Sequence, residues 1–269
     1  MSSSSGENWR PRKTSECGKI GNCSHPWKSA LINLNGDVHA CPHGSSVLGN
    51  LKDAAFEKIW NGPAIQSMRE HIRQGKLHPN CKTSLCPFQI DSAGSTEEEE
   101  WITFPATPDS NKELANREYN RRTKIVWSQP AMITLVVTSK CDMKCVMCPH
   151  GMGQIELYMD IPEIAISRLV GPLQAAGRID ITGVGEPVLS PSFWQFVETH
   201  KKVDGQMLLY KTSGVHITKE SAKKLVNSAA TIISVSIDAA TPETYQKIRG
   251  NELSRTLGRV DKMCKFSSN

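Results

Sequence analysis

Cys141, Cys145 and Cys148 stand in a C-x3-C-x2-C spacing just after an apolar run from Ala131 to Val137. Three thiolates on one short loop can hold three irons of a [4Fe–4S] cube and leave the fourth iron without a protein ligand. That open iron is the chemically useful feature, because a small molecule can chelate it through an amine and a carboxylate. Iron–sulfur electron carriers usually complete the set with a fourth cysteine. A structural zinc site is the alternative, with His150 or a distant cysteine as fourth ligand, and spacing alone does not separate the two.

A second cysteine set, Cys23, Cys41, Cys81 and Cys86, precedes it, with Cys17 as a spare thiol or substitute ligand and Cys264 as a small buried apolar residue. The total of nine is odd, and the polar start Met1-Ser-Ser-Ser-Ser-Gly carries no secretory signal. Both facts argue for a cytoplasmic protein whose thiols bind metal rather than close disulfides. The apolar runs are too short to span a bilayer. The net charge of +5 is scattered, with no Lys/Arg block among aromatics, which argues against a nucleic-acid partner.

The elements that must position these cysteines follow from pattern. Residues 1–16 are Ser-rich and read as a disordered N-terminus. Residues 17–88 are expected to form a small α+β cysteine-rich domain. It holds a hairpin (Ala30 to Leu34, Asn35-Gly36, Asp37 to Ala40) for which Asn-Gly favours a type I′ turn. Short helices carry Phe56, Ile59 and Trp60, then Ile65 and Met68, and Trp27 and Trp60 are core residues. His25, His39 and His43 are ordinary polar positions or further ligands. Residues 89–125 are a linker with the acidic run Glu97 to Glu100, ending in an exposed helix over 113–125.

From 126 to 269 strands and helices alternate. Strands are expected at Met132 to Thr138, Arg178 to Thr182, Gln206 to Lys211 and Thr231 to Ile237. Helices are expected from Asp160 as N-cap, over Pro191 to Val203, after Thr218 and after Thr241. Repeated β-then-α units predict an α/β parallel sheet or barrel with active residues where strands end.

The loop Thr138-Ser-Lys-Cys141-Asp-Met-Lys-Cys145-Val-Met-Cys148-Pro-His150 resembles the cluster loop of the radical S-adenosylmethionine (SAM) superfamily. Gly183-Val-Gly185-Glu186-Pro187 is similar to that family's Gly-Gly-Glu motif, whose Glu holds the methionine amino group. Thr212-Ser213-Gly214 and Ser234-Val-Ser236-Ile-Asp238 fall at the next two strand ends, and Thr241 to Gly250 is also a familiar run there. Met147 replaces the aromatic residue often found near the adenine. Taken without the cysteines, the Gly-rich turn, Thr212 to Gly214, Ser236 and Asp238 read equally as plain turn or capping residues. Cys23, Asn35-Gly36-Asp37-Val38-x-x-Cys41, Ile59-Trp60-Asn61 and Cys81-x4-Cys86 resemble the SPASM/twitch auxiliary-cluster domain, with a zinc hairpin on the same four cysteines as the alternative.

The resemblance implies a partial (β/α) barrel of the radical SAM type, only the front part of the core, with the auxiliary domain before it rather than after. It implies SAM on the Cys141/Cys145/Cys148 cluster, with Gly183, Gly185, Glu186, Thr212, Ser213, Ser236, Asp238 and Met147 around it, and an auxiliary [4Fe–4S] cluster on Cys23, Cys41, Cys81 and Cys86. The implied reaction is reductive cleavage of SAM to a 5′-deoxyadenosyl radical that abstracts hydrogen from a substrate. That substrate is a peptide or protein side chain, or alternatively a sugar or other small molecule, and the electron donor is flavodoxin or ferredoxin. If the auxiliary cluster takes up the electron left on the substrate, the net reaction is an oxidation. A non-catalytic iron–sulfur electron-transfer or scaffold protein and a zinc-stapled interaction module are the competing classes.

Overall fold

The computed structural model describes residues 23–42, 46–81 and 109–267. The expectations for residues 1–16, Cys17, His43, Cys86 and Glu97 to Glu100 lie outside the described residues. The cysteine-rich part supplies α1 (His25–Lys28), β1 (Ser29–Ile32), β2 (Asp37–His39), β3 (Val47–Asn50), α2 (Phe56–Trp60), α3 (Pro63–Arg73) and a 3-10 turn (Pro79–Cys81). Then come α4 (Asp109–Asn120), β4 (Met132–Leu135), α5 (Glu163–Ser167), α6 (Val170–Ala175), β5 (Arg178–Ile181) and α7 (Pro191–Thr199). β6 (Met207–Thr212), α8 (Lys219–Val226), β7 (Ile232–Val235), α9 (Pro242–Arg249) and α10 (Leu253–Ser267) complete the order.

All seven strands belong to one mostly parallel α/β sheet, ordered β3-β2-β1-β4-β5-β6-β7. β4 to β7 run parallel, as their βα connections require. β1 joins their first edge in parallel register, Ser29 beside Met132 and Ile32 beside Leu135, so the cysteine-rich hairpin and the βα repeat share one hydrogen-bonded layer. Ile133, Leu135, Ile179, Ile181 and Leu208 are fully buried in its core. At about 25 cal/mol per Å² of apolar surface, each such side chain stabilises the fold by roughly 1.5–3 kcal/mol.

Local chemistry sets the element ends. Ser190 Oγ accepts from Phe193 N at 3.4 Å to start α7, with Pro191 in its first turn. Thr218 and Ser221 form a capping box on α8. Thr241 caps α9, which ends at Gly250 in the left-handed region.

A guanidinium holds the N-terminal part together. Arg69 on α3 is fully buried and donates to the carbonyls of Pro26, Trp60 and Lys124 at 2.8, 3.0 and 3.1 Å, and to Asn61 Oδ1 at 3.1 Å. Burial lowers its pKa to about 10, with Glu118 acting in the opposite direction. Glu118, itself buried on α4, accepts from Trp127 N, Ser128 N and Ser128 Oγ at 2.7, 3.2 and 2.6 Å. The segment entering β4 is therefore tied to both α3 and α4.

Five expectations need correction. The hairpin loop runs Asn33 to Gly36, closed by Gly36 N to Asn33 O at 2.9 Å, and only Gly36 has positive φ (+89°). A type I′ turn needs two such residues, so this is the longer loop with glycine at the left-handed position. β4, β5 and β7 are shorter than expected, with β4 stopping at Leu135 as the chain turns into the cysteine loop, while β6 keeps its length one residue further on. Asp160 does not cap α5, which starts after Pro162; its carboxylate pairs with Lys140 Nζ at 2.6 Å instead. The helix before the second part is not wholly exposed, since Ala115 and Glu118 face inward. Cys264 is exposed on α10, a helix absent from the expected pattern, because Leu253, Thr256 and Met263 are the residues that helix turns inward.

Two stability predictions follow from buried polar groups. Arg69→Leu takes the guanidinium donor from the carbonyls of Pro26, Trp60 and Lys124, while Asn61 Oδ1 keeps Val126 N, and is expected to cost about 3 kcal/mol or more in urea unfolding. His200 sits against Phe196 with its Nε2 2.7 Å from Gln206 Oε1; burial lowers its pKa below the ordinary 6.5, and the Gln206 contact only partly opposes this. The unfolded chain thus binds the proton first, so this contribution is intact above pH 6.5 and is lost as pH falls below it. Melting midpoints between pH 8 and 5.5 should fall toward acid, less steeply in His200→Gln.

Candidate functional site

A cavity of about 180 Å³ opens at the C-terminal ends of β4 to β7. Its wall on one side is the cysteine loop after β4, with Cys141, Cys145, Cys148 and Met147. The other side is built by Gly183, Gly185 and Glu186 after β5, Thr212 and Ser213 at the end of β6, and Ser236 after β7. Four successive strand ends thus bring together ten of the residues singled out by motif. Asp238 does not line the cavity but pairs with Arg249, which does.

Glu186 is the polar centre of this arrangement. Its carboxylate is buried, with Oε1 accepting from Thr212 Oγ1 and Oε2 from Ser213 N, both at 2.6 Å. Its own amide donates to Lys140 O at 2.8 Å, in the turn leading to Cys141. One residue therefore links the ends of β4, β5 and β6. The approach is close enough that a Cβ on Gly185 would collide with the carbonyl oxygens of Thr138 and Lys140. Gly183 has φ +140°, and a Cβ there would strike Val136.

The three loop sulfurs line a shared wall. Among the described residues no three His, Cys, Asp or Glu side chains converge on a point where one metal ion would sit. Burial pushes the Cys141 thiol up to about 11, the Met143 backbone N–H opposing this and the Glu186 and Asp142 charges adding to it. Burial raises Cys145 as well, with Arg249 pulling the other way. Thiolates here need a positive centre beside them, which bound metal supplies. The loop is braced from behind: Val146 N donates to Ile248 O at 3.0 Å, and Cys145 Sγ lies 3.9 Å from Arg249 O at the end of α9.

Arg249, Lys211, Met143, Thr182 and Val184 also line the cavity, and motif reading did not assign them to the site. Arg249 is 11% exposed, and its Nη1 lies 3.1 Å from Oδ2 of Asp238, which adopts a left-handed backbone (φ +57°). Its Nε is buried and meets no hydrogen-bond partner among the described residues. Arg249-Gly250 at a helix end was visible in sequence, but that it folds back over a loop 100 residues earlier was not. Gly151 packs so tightly on the Cys145 carbonyl that a Cβ would overlap it.

The N-terminal cysteines lie elsewhere. Cys23 precedes α1, Cys41 follows β2 and Cys81 closes the 3-10 turn; Cys23 and Cys81 are buried in the core. Asn80 Nδ2 donates to Ser46 Oγ at 3.1 Å, bringing that turn against the start of β3.

Two family models match: the radical SAM superfamily over residues 135–268 and an iron–sulfur cluster-binding domain, SPASM, over residues 23–87. Among similar curated proteins, "Mycofactocin maturase MftC" of Mycobacterium tuberculosis (strain CDC 1551 / Oshkosh) is 28% identical over 125 residues, 45% of this chain and 31% of that protein. "GTP 3′,8-cyclase" of Hydrogenovibrio crunogenus is 30% identical over 133 residues, 46% of this chain and 39% of that protein. The chain spans about a third of the length of the curated relatives it matches. A solved structure of Streptococcus suis SuiB bound to precursor peptide SuiA aligns over 93% of this chain and 54% of its own, at 14% identity and a TM-score of 0.43.

Replacing Glu186 by Gln leaves one oxygen for two donors: with that oxygen toward Ser213 N, the NH2 faces Thr212 Oγ1, whose proton loses its acceptor. Glu186→Gln is expected to destabilise by about 1–3 kcal/mol in urea unfolding. Thr212→Val, which removes only the hydroxyl, should cost less.

Proposed function

For a chain that belongs to the radical SAM superfamily through residues 135–268, we propose that the strand-end cavity binds SAM on a three-cysteine [4Fe–4S] cluster and starts radical chemistry on a substrate. The observation that carries this reading is that Cys141, Cys145, Cys148 and the buried carboxylate of Glu186 line one cavity. The residues fit the cofactors. Three cysteines of one loop and the Glu186 carboxylate line the same cavity, and Gly183 and Gly185 let the two loops approach closely enough for that.

In this reading Cys141, Cys145 and Cys148 hold the cluster. When bound, cluster and SAM together supply one-electron cleavage of the sulfonium bond and hydrogen abstraction from an unactivated C–H bond. The chain's own part is orientation. Glu186, fixed by Thr212 and Ser213, keeps free lone pairs for an ammonium group, and each hydrogen bond it already accepts holds the carboxylate in one rotamer. Met147 offers a polarizable face to a purine, while Ser236 and the Asp238–Arg249 pair stand where a ribose hydroxyl and a carboxylate can be taken.

The parallel strands with their helices are taken as the front part of a (β/α) barrel. Residues 17–88 form the auxiliary-cluster domain and 89–125 the connection. The substrate we favour is a peptide or protein side chain. Val146, Met152, Leu157 and Tyr158 on and after the cysteine loop are 54–67% exposed, an apolar rim better suited to a peptide than to a sugar. A flavodoxin- or ferredoxin-like protein is the proposed reductant.

The test is anaerobic reconstitution with iron and sulfide, then SAM and dithionite, with 5′-deoxyadenosine measured by chromatography. Wild-type protein should release it and Cys145→Ala should lose it at least 100-fold, as expected when the chemical centre is removed. If the wild-type chain neither binds SAM in calorimetry nor releases 5′-deoxyadenosine, the reading is overturned.

A further inference from the structure

Among the residues lining the strand-end cavity, Glu186, Lys211 and Arg249 carry full charges. Glu186 is held by Thr212 Oγ1 and Ser213 N, and Arg249 is paired with Asp238. Lys211 differs from both. Lys140, Lys224 and Lys265 pair with Asp160, Glu198 and Asp261, whereas the Lys211 ammonium meets no carboxylate or other acceptor among the described residues. Its place in β6 explains how it comes to the cavity. Leu208 and Tyr210 are buried, with Tyr210 edge-on to Phe193 and Phe196 of α7. Alternation turns Leu209 and Lys211 to the opposite face of the sheet, where Ile232 and Ser234 are their neighbours on β7. Leu209 is buried and Lys211 exposed, so this face changes from apolar to cationic where the cavity begins.

We propose that Lys211 selects the substrate by taking a peptide carboxylate into the cavity. This rests on the proposed function, since it names the class of peptide group that the same cavity accepts. An exposed ammonium keeps its water and needs no partner. A substrate that covers it displaces that water, and a neutral or cationic group then leaves the charge desolvated and unpaired. A carboxylate pairs with it instead, so Lys211 disfavours wrong substrates as well as holding the right one. Glu186 is not its counter-ion once an ammonium group occupies that carboxylate, and Asp238 is committed to Arg249. Both acids still bring negative charge to this end of the sheet, so a singly charged carboxylate suits Lys211 better than a phosphate, which carries more. The exposed Val146 and Met147 on the cysteine loop give the rest of the peptide an apolar surface. The carboxylate belongs to an Asp or Glu side chain or to the peptide's C-terminus.

The test uses the whole reconstituted chain loaded with SAM, without reductant, and an equimolar mixture of short randomised peptides, the retained ones being sequenced by mass spectrometry. In a C-terminally amidated mixture, Asp and Glu should be retained over Asn and Gln about threefold, the size of a partly solvated ion pair. If the terminal carboxylate is the ligand, free-acid peptides should instead be retained over amidated ones by the same factor. Lys211→Met, which keeps the aliphatic stem, should abolish the preference, and Lys211→Glu should turn it toward Lys and Arg. The change should fall on peptide retention and not on SAM affinity measured by calorimetry, which also shows that the variants are folded. No acidic preference in either mixture, a preference that survives in Lys211→Met, or an equal loss of SAM affinity in that variant each overturns the inference alone. A wild-type chain that binds SAM but retains no peptide overturns it together with the peptide substrate. A wild-type chain that binds no SAM overturns the proposed function itself.

Discussion

The buried carboxylate of Glu186 is the constraint on which the strand-end architecture depends. Burying a charge is costly unless it is hydrogen-bonded, and here one hydroxyl and one amide of the β6 end each donate to it. The residue's own amide reaches the turn before Cys141. Moving the β5 or β6 end by an ångström strands a buried charge, and moving the β4 end takes the acceptor from the Glu186 amide. The position of the cysteine loop relative to β5 and β6 is thereby set by hydrogen bonding within the protein. Gly183 and Gly185 are the steric condition for it, since side chains there would hold the loops apart.

Much of this site was legible because its chemistry is written in short runs. Three cysteines within eight residues, a Gly-x-Gly-Glu turn and Ser/Thr at strand ends each declare themselves locally, and alternating β and α periods place them at one end of a sheet. What was not legible depends on distance along the chain. The pairing of Ser29 to Ile32 with Met132 to Leu135 joins residues about a hundred positions apart, and neither run contains any mark of its partner. The two parts therefore read as separate units joined by a linker, whereas their strands share a layer. Arg69 carries no mark in the sequence that sets it apart; only the fold reveals that four oxygens converge on it. The hairpin erred differently: Asn-Gly is a strong two-residue turn signal, but Asn33 closes onto Gly36 first and the loop grows by two. Arg249 was seen within a run, yet its meaning comes from α9 ending against the cysteine loop.

The two cysteine sets also differ in kind. One lies on a single loop with short gaps, next to a buried acid and a basic residue, in a cavity open to small molecules. Of the other, Cys23, Cys41 and Cys81 among the described residues come from three separate segments, and Cys23 and Cys81 pack into the core.

Gly151 carries a consequence for how the cysteine loop acquires its metal. With no side chain at that position, the backbone after Cys148 folds back onto the carbonyl of Cys145, and α9 supports the same loop from the other side. The loop's path is thus prescribed by packing before any ligand arrives, so little conformational entropy remains to be surrendered on loading. Pre-organisation of this sort raises affinity without a single added contact. A larger residue at 151 would leave every thiol in the chain and still turn a ready-made cradle into one that must be assembled around its occupant.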